Sequence, residues 1–381
     1  FQKFLVVIMI LVEAVPQVFG YLSPSSQLVA SIGGTAARGI IILQLFVGGM
    51  LVFWMDEVIS KWGIGSGVSL FIAAGVSSAI VTGLFSWLPS TAGETISVDN
   101  PPAGTIPKTI FLTSQMSLSE LMGGGFEKIF ISPPNPVIAL LGTILIFVFV
   151  VYAESSRVEL PLAHGRVRGA RGRYPLRLLY ASNIPVILMS ALMANLNMFG
   201  LILWRSKIPL IGHAWWIGSY PEGATNPAAG GLWYLTRPNG LYSWFLPMID
   251  RKYIGYLQGH EPWQMALRII IYSAVFLTGC VFFGKFWIET TNMGPDAVAR
   301  QIESSGMQIP GFRRDPRVLK KILARYIPAL TILSSLIVGL LAIFASLVGT
   351  VGQTSGTGVL LTVGIVIRSV SYTHLTLPTK A

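Results

Sequence analysis

Eight stretches of this chain are almost continuously apolar. They run Phe4–Leu22, Leu28–Met55, Gly67–Leu88, Pro136–Ala153, Leu178–Trp204, Met265–Ile288, Tyr326–Gly349 and Thr357–Val370. A bilayer-spanning helix needs roughly 20 such residues. The stretches do not alternate apolar with polar as barrel strands do, so helices are the expected spanning form. The pattern predicts an all-α polytopic membrane protein built as a transmembrane helix bundle. Gly33-Gly-Thr-Ala-Ala37 interrupts the second stretch, which places its membrane part at Ile40–Met55. The eighth stretch is shorter than a full span.

Composition narrows this further. Hydrophobic residues make up 52% of the chain and charged residues 11%, against about 25% charged in an ordinary soluble domain. Mean hydropathy is +0.65. A soluble domain is excluded. The single cysteine, Cys280, lies inside an apolar stretch and reads as a small buried hydrophobe. The four histidines have no metal-ligand spacing, and no cofactor signature is present. Gly63, Gly65 and Gly67 hint at a phosphate cradle, but no strand precedes them and no Gly-Lys-Ser/Thr follows. A tight turn into a helix accounts for them.

Charge then orients the chain. Spanning helices alternate in direction, so the connections fall into two sets. Asp56–Ser66, Glu154–Arg177 and Glu289–Arg325 carry fourteen basic residues; Tyr21–Gly39, Pro89–Asn135, Arg205–Gln264 and Thr350–Gly356 carry eight over far more chain. The positive-inside rule puts the first set, and both ends of the sequence, in the cytoplasm. The outer connections are rich in Gly, Pro and aromatics (Trp215, Trp216, Trp233, Tyr234), and Arg237-Pro-Asn-Gly240 predicts a turn between short strands.

Several positions stand out against this background. From Arg157 to Arg177 the chain has six arginines, no lysine and one acid, and it enters an apolar stretch with no linker. Two readings are open: anchors beside anionic lipid, or a docking surface whose guanidinium forks pair with phosphate oxygens. Glu13 lies in the first span, where it either snorkels near a helix end or makes a polar contact with protein or water. Asn195 and Asn197, deep in the fifth span, could donate to a carboxylate on a neighbouring helix. Pro185 is either a hinge or a helix-start proline. Val68, Ile72, Gly75 and Val76 share one apolar helix face, which suits ordinary packing or the wall of a dry constriction.

A family resemblance gathers these features. Asp56-Glu-Val-Ile-Ser-Lys-Trp-Gly-Ile-Gly-Ser-Gly67, Phe71-Ile-Ala-Ala-Gly-Val-Ser77, Leu160-Pro-Leu-Ala-His-Gly-Arg166, Ser182-Asn-Ile-Pro-Val-Ile187, Phe286-Trp-Ile-Glu-Thr-Thr291 and Gly356-Thr-Gly-Val-Leu-Leu-Thr-Val363 occur in one order from Phe1 to Arg368. Together they resemble the SecY family, in its archaeal form. The resemblance implies ten helices in two inverted halves, of which this chain looks like the third to the tenth. Residues 1–88 would complete the N-terminal half with three helices and 89–135 would be an external loop. Residues 136–370 would form the C-terminal half, with five helices and two basic cytoplasmic loops. Residues 371–381 read as a non-native tail, translated from a sequencing adapter.

The resemblance also implies roles. Val68, Ile72, Ile187 and Leu361 match positions of an aliphatic pore ring. Glu13 and Asn195 match the polar cluster of a lateral gate. Arg166, Arg168, Arg171, Arg173, Arg313 and Arg314 match two loops that dock the ribosome. The implied function is a channel that moves unfolded polypeptides across the membrane and releases apolar segments sideways. The implied partners are SecE/Sec-gamma, Sec-beta, the ribosome, nascent chains and lipid. No catalytic residue, cofactor or metal is implied. The alternative class is a secondary transporter, with a midplane polar site built from Glu13 and the paired asparagines.

Overall fold

The computed structural model describes residues 2–20, 22–63, 66–91, 93–164, 171–205, 214, 216–221, 223–249, 253, 255, 257, 259–304, 307–308 and 316–376. Among these, seven helices are long and apolar enough to cross a membrane. They are α1 (Gln2–Gly20), α3 (Gly34–Trp62), α4 (Gly67–Phe85), α8 (Val137–Ser155), α9 (Ile184–Arg205), α12 (Pro262–Thr290) and α14 (Pro316–Val348). The last helix, α15 (Gly356–Thr376), has a shorter apolar part ending at Val370 and continues the backbone helix past that boundary. Short helices fill the connections: α2 (Ser26–Ile32), α5 (Thr105–Gln115), α6 (Leu118–Glu120), α7 (Phe126–Phe130), α10 (Leu241–Trp244), α11 (Leu246–Ile249) and α13 (Pro295–Ser304). The expected break in the second stretch falls at Gly33, whose φ of +84° a residue with a β-carbon rarely adopts. The helix resumes at once at Gly34, so α3 starts well before Ile40.

Burial identifies the centre of the bundle. Half of the apolar window of α14 is buried, against 6% of that of α3. The main core joins α8, α9, α12, α14 and α15 through Ile146, Val150, Met189, Phe276, Val338 and Leu360. Lipid tails are as apolar as leucine, so close packing rather than the hydrophobic effect holds such helices together. One crossing shows this clearly. A β-carbon at Gly83 of α4 would strike the backbone of Gly352 and lie 2.8 Å from Val351 Cγ1. Two glycines therefore let α4 rest directly on the turn between α14 and α15.

The first basic connection is not an irregular loop. Arg157–His164 (β1) and Arg171–Arg177 (β2) pair antiparallel, with Arg157 opposite Arg177, and Met307–Gln308 (β3) adds to β1 at Ala163 and His164. The all-α architecture thus holds for the membrane bundle, while the basic connections carry a three-stranded sheet. Proline hides these strands in the sequence. Pro175 lies on the outer strand, and Pro161 lies on the part of β1 that β3 does not cover, where a missing N–H costs no ladder bond.

α14 also starts earlier than its apolar stretch. Its 33 residues span about 50 Å at 1.5 Å per residue, against a hydrocarbon core of about 30 Å. The N-terminal excess packs Leu319, Leu323 and Ile327 against Val298, Ala299 and Ile302 of α13. A second departure lies outside: Arg237-Pro-Asn-Gly240 joins a 3-10 turn (Gly231–Leu235) to α10, with no flanking strands among the described residues. Trp233 is buried there, stacked on His260 at 3.7 Å and covered by the Arg268 guanidinium at 4.6 Å. This compact cluster has no two-residue alternation to exploit.

Candidate channel and gate

The first turn of α4 is set by a carboxylate. Asp56 Oδ1 accepts from Val68 N at 3.0 Å and from Ser66 Oγ at 3.1 Å. A negative group at a helix start satisfies orphan donors and interacts favourably with the helix dipole, so Asp56 holds the first turn of α4 at Val68. Val68 is 43% exposed and Ile72 half-buried. On α9, the Asn183 carbonyl accepts from Ile187 N at 3.2 Å. Pro185 therefore sits in the first turn of α9, which settles its role as a helix-start proline. Ile187 is 36% exposed. Leu361, on α15, is half-buried.

α15 packs against both of the other helices. Val76 Cγ2 comes within 3.1 Å of where a side chain at Gly358 would begin, and Asn183 Nδ2 donates to Leu360 O at 3.2 Å. The structure therefore brings the three helices carrying Val68, Ile72, Ile187 and Leu361 together, with α15 between α4 and α9. No acid, base or histidine is among the four.

α1 and α9 meet at their outer ends. Arg205 Nη1 donates to Gly20 O at 3.0 Å, and a side chain at Gly20 would begin 3.6 Å from Ile202 Cγ1. Glu13 and Asn195 each lie about 10 Å back along their helices from this crossing, at matching depth. Both are exposed, and no hydrogen bond joins them among the described residues. The Asn197 amide donates to Thr225 O and Asn226 Oδ1, and it accepts from the Tyr220 hydroxyl at 3.0 Å. These contacts tie α9 to the connection that follows it.

Of the basic positions, Arg171 and Arg173 lie on β2, opposite Ala163 and Pro161. Arg166, Arg168, Arg313 and Arg314 lie outside the described residues. The pairing of β3 with the end of β1 brings the second basic connection to the tip side of the first. That juxtaposition has no signature in the sequence. Lys320, in the same region, is paired with Asp296 at 2.7 Å.

One polar cluster escaped sequence reasoning. Glu154 and Asn183 are buried where α8, α9 and α15 meet, with Arg368 beside them. Glu154 reads in sequence as the first residue of a loop; the helix runs two residues further, to Ser155, and holds Glu154 in the bundle. The signal that could have found it is Gly364, an interior helix glycine four residues from Arg368, facing both side chains.

A bundle of long apolar helices joined by basic connections defines a multi-pass membrane protein. The SecY family model matches residues 1–370. The protein translocase subunit SecY of Haloferax volcanii is 43% identical over 376 residues, covering 96% of this chain and 72% of that protein. The SecY of Archaeoglobus fulgidus is 41% identical, covering 97% and 72%. Among solved structures, one described as "The structure of a protein conducting channel" matches with a TM-score of 0.69 at 35% identity, covering 99% of this chain and 74% of that one. Sec61 in a canine ribosome–channel complex matches with a TM-score of 0.66 at 35% identity, covering 99% and 74%. The chain belongs to the SecY family of protein-conducting channels.

Proposed function

We propose that this chain walls the path along which unfolded polypeptides cross the membrane, and that apolar segments leave it sideways between α1 and α9. The observation that carries this reading is the aliphatic set Val68, Ile72, Ile187 and Leu361 on three helices that meet at α15. Branched aliphatic side chains deform around a passing chain and stay dry enough to oppose ion flow when none is present. Glu13 and Asn195, exposed at one depth on α1 and α9, suit a weak polar contact that biases a gate without locking it. A solute transporter needs several polar groups converging at midplane; the four positions proposed for the path are all aliphatic.

The channel supplies no catalytic chemistry, and the driving free energy comes from its partners. The hairpin with Arg166, Arg168, Arg171 and Arg173, together with Arg313 and Arg314, would contact ribosomal RNA phosphates, since the Arg–Gly rhythm follows a backbone and lacks the aromatics of a base reader. SecE/Sec-gamma and Sec-beta would complete the assembly. The ring is tested by ion conductance of the assembled channel in planar bilayers, without ribosome. Replacing Ile72, Ile187 and Leu361 together with glycine should raise basal conductance; an unchanged conductance would remove the ring assignment.

A further inference from the structure

A buried polar cluster lies where the docking hairpin meets the pore helices, and neither docking nor the pore ring uses it. Glu154 is the penultimate residue of α8, three residues before β1. Its side chain is 3% exposed, and Oε1 lies 3.7 Å from Arg368 Nη2 on α15. Arg368 also donates to Ser182 Oγ, just ahead of α9. Asn183, buried, donates to Leu360 O at 3.2 Å. Gly364 keeps the space open: a side chain there would begin 2.5 Å from Asn183 Nδ2 and 3.1 Å from Glu154 Oε1. Three helices are thus joined at one point by charge and amide contacts.

The position of this point is its second property. The base of the hairpin is closed by Leu178 N donating to Ser156 O at 3.0 Å. Arg177, the last residue of β2, is near enough to attract the Glu154 carboxylate. Only Ser155 and Ser156 separate the sheet from Glu154, and one short turn, residues 178–182, separates it from Asn183, so a tilt of the hairpin is felt at both. Asn183 is one helical turn before Ile187, and Arg368 is two turns from Leu361 along the same face of α15. Any change in the Glu154–Arg368–Asn183 contacts therefore shifts α9 and α15 against each other at the level of two ring residues.

A buried ion pair is weak evidence for stability, because desolvation cancels much of its attraction; its best-attested use is to select one arrangement over another. We propose that Glu154, Asn183 and Arg368 are positioning residues. They form a polar clasp that holds α8, α9 and α15 in the sealed arrangement and passes load from the hairpin to Ile187 and Leu361. This rests on the docking and pore-ring reading given above.

The test uses the assembled channel in proteoliposomes, with four readouts: basal ion conductance, the rise in conductance when ribosomes are added, ribosome affinity by co-sedimentation, and thermal exposure of the buried Cys280 thiol as a control for folding. Glu154→Gln and Arg368→Gln should each raise basal conductance severalfold and shrink the ribosome-induced rise, with ribosome affinity unchanged. The double variant should leak no more than the leakier single one, since both remove one shared interaction. Gly364→Ala, which wedges the clasp without removing a charge, should leak in the same way and serves if a charge variant does not fold. Parental conductance and a parental ribosome response in folded Glu154→Gln and Gly364→Ala would overturn the clasp. So would conductance changes that merely track earlier exposure of Cys280. Arg171→Glu separates the two readings: unchanged ribosome affinity in that variant sinks the docking assignment, whatever the clasp variants do.

Discussion

Replacing Gly83 with alanine should push α4 off the turn that leads into α15. The new β-carbon would meet the Gly352 backbone and lie 2.8 Å from Val351 Cγ1, whereas carbon atoms rest about 3.5–4.0 Å apart. The turn cannot easily yield. Gly352 N is held by Asn135 Oδ1 at 2.7 Å and Val351 N by Thr143 Oγ1 at 3.1 Å. Overpacking of this kind costs about 1–3 kcal/mol, while glycine to alanine inside a helix gains about 1 kcal/mol. Gly75→Ala, on the same helix with nothing within 4 Å of its new β-carbon, takes that gain without the clash. The difference between the two variants therefore isolates packing at the crossing, about 1–3 kcal/mol. Cys280 is the only cysteine in the chain and is fully buried, so a thiol-reactive fluorophore reports unfolding on heating. At about 2–4 °C per kcal/mol for mid-sized domains, Gly83→Ala should melt several degrees below Gly75→Ala. Coincident midpoints would refute the direct contact between α4 and the turn.

Charge reversal of Arg171 and Arg313 should weaken ribosome binding and lower its salt slope by about one for each phosphate no longer neutralised; unchanged binding in co-sedimentation would return these residues to topology anchors. Asp56→Ala should cost about 1 kcal/mol in helix capping and speed hydrogen exchange at Val68–Phe71, and unaltered exchange there would show that Asp56 does not hold the start of α4. Lys108, buried in the external segment, donates to Ser132 O and Pro134 O at 2.7 and 3.2 Å, and burial pushes its ammonium from 10.5 down to about 8. Between those values the unfolded chain holds a proton that the folded one has released, so the local stability of residues 105–135 should rise from pH 8 to 10.5. Hydrogen exchange corrected for intrinsic rates reads this, and protection that falls across the window would contradict it.

The membrane bundle was legible because each span needs a long apolar run, and that constraint writes itself into the sequence. Seven of the eight stretches are spanning-length helices, and the eighth is the apolar part of α15. What stayed hidden depends on contacts between distant segments. The sheet formed by β1, β2 and β3 contains Pro161 and Pro175, and its apolar alternation (Val158, Leu160, Leu162 on β1) is too short and too interrupted by proline to stand out. The N-terminal extension of α14 is stabilised by α13, whose apolar residues are few. Glu154 looked like a loop residue until the packing of α8 against α15 buried it. For the candidate site, the one-turn spacing of Val68 and Ile72 marked a shared face, but nothing in the sequence brings Ile187 and Leu361 to it. The family resemblance supplied that link; the structure adds that α15 packs against both α4 and α9.

The central claim is that polypeptides pass along the face formed by Val68, Ile72, Ile187 and Leu361. Its most direct test is a ribosome-stalled nascent chain in the assembled channel, with a photoreactive residue placed in turn at each of these positions and at Ile270 and Phe282, exposed apolar residues of α12. Strong crosslinks at the four positions and none at the two controls are the predicted result. Crosslinks that favour α12 and avoid the four would contradict it.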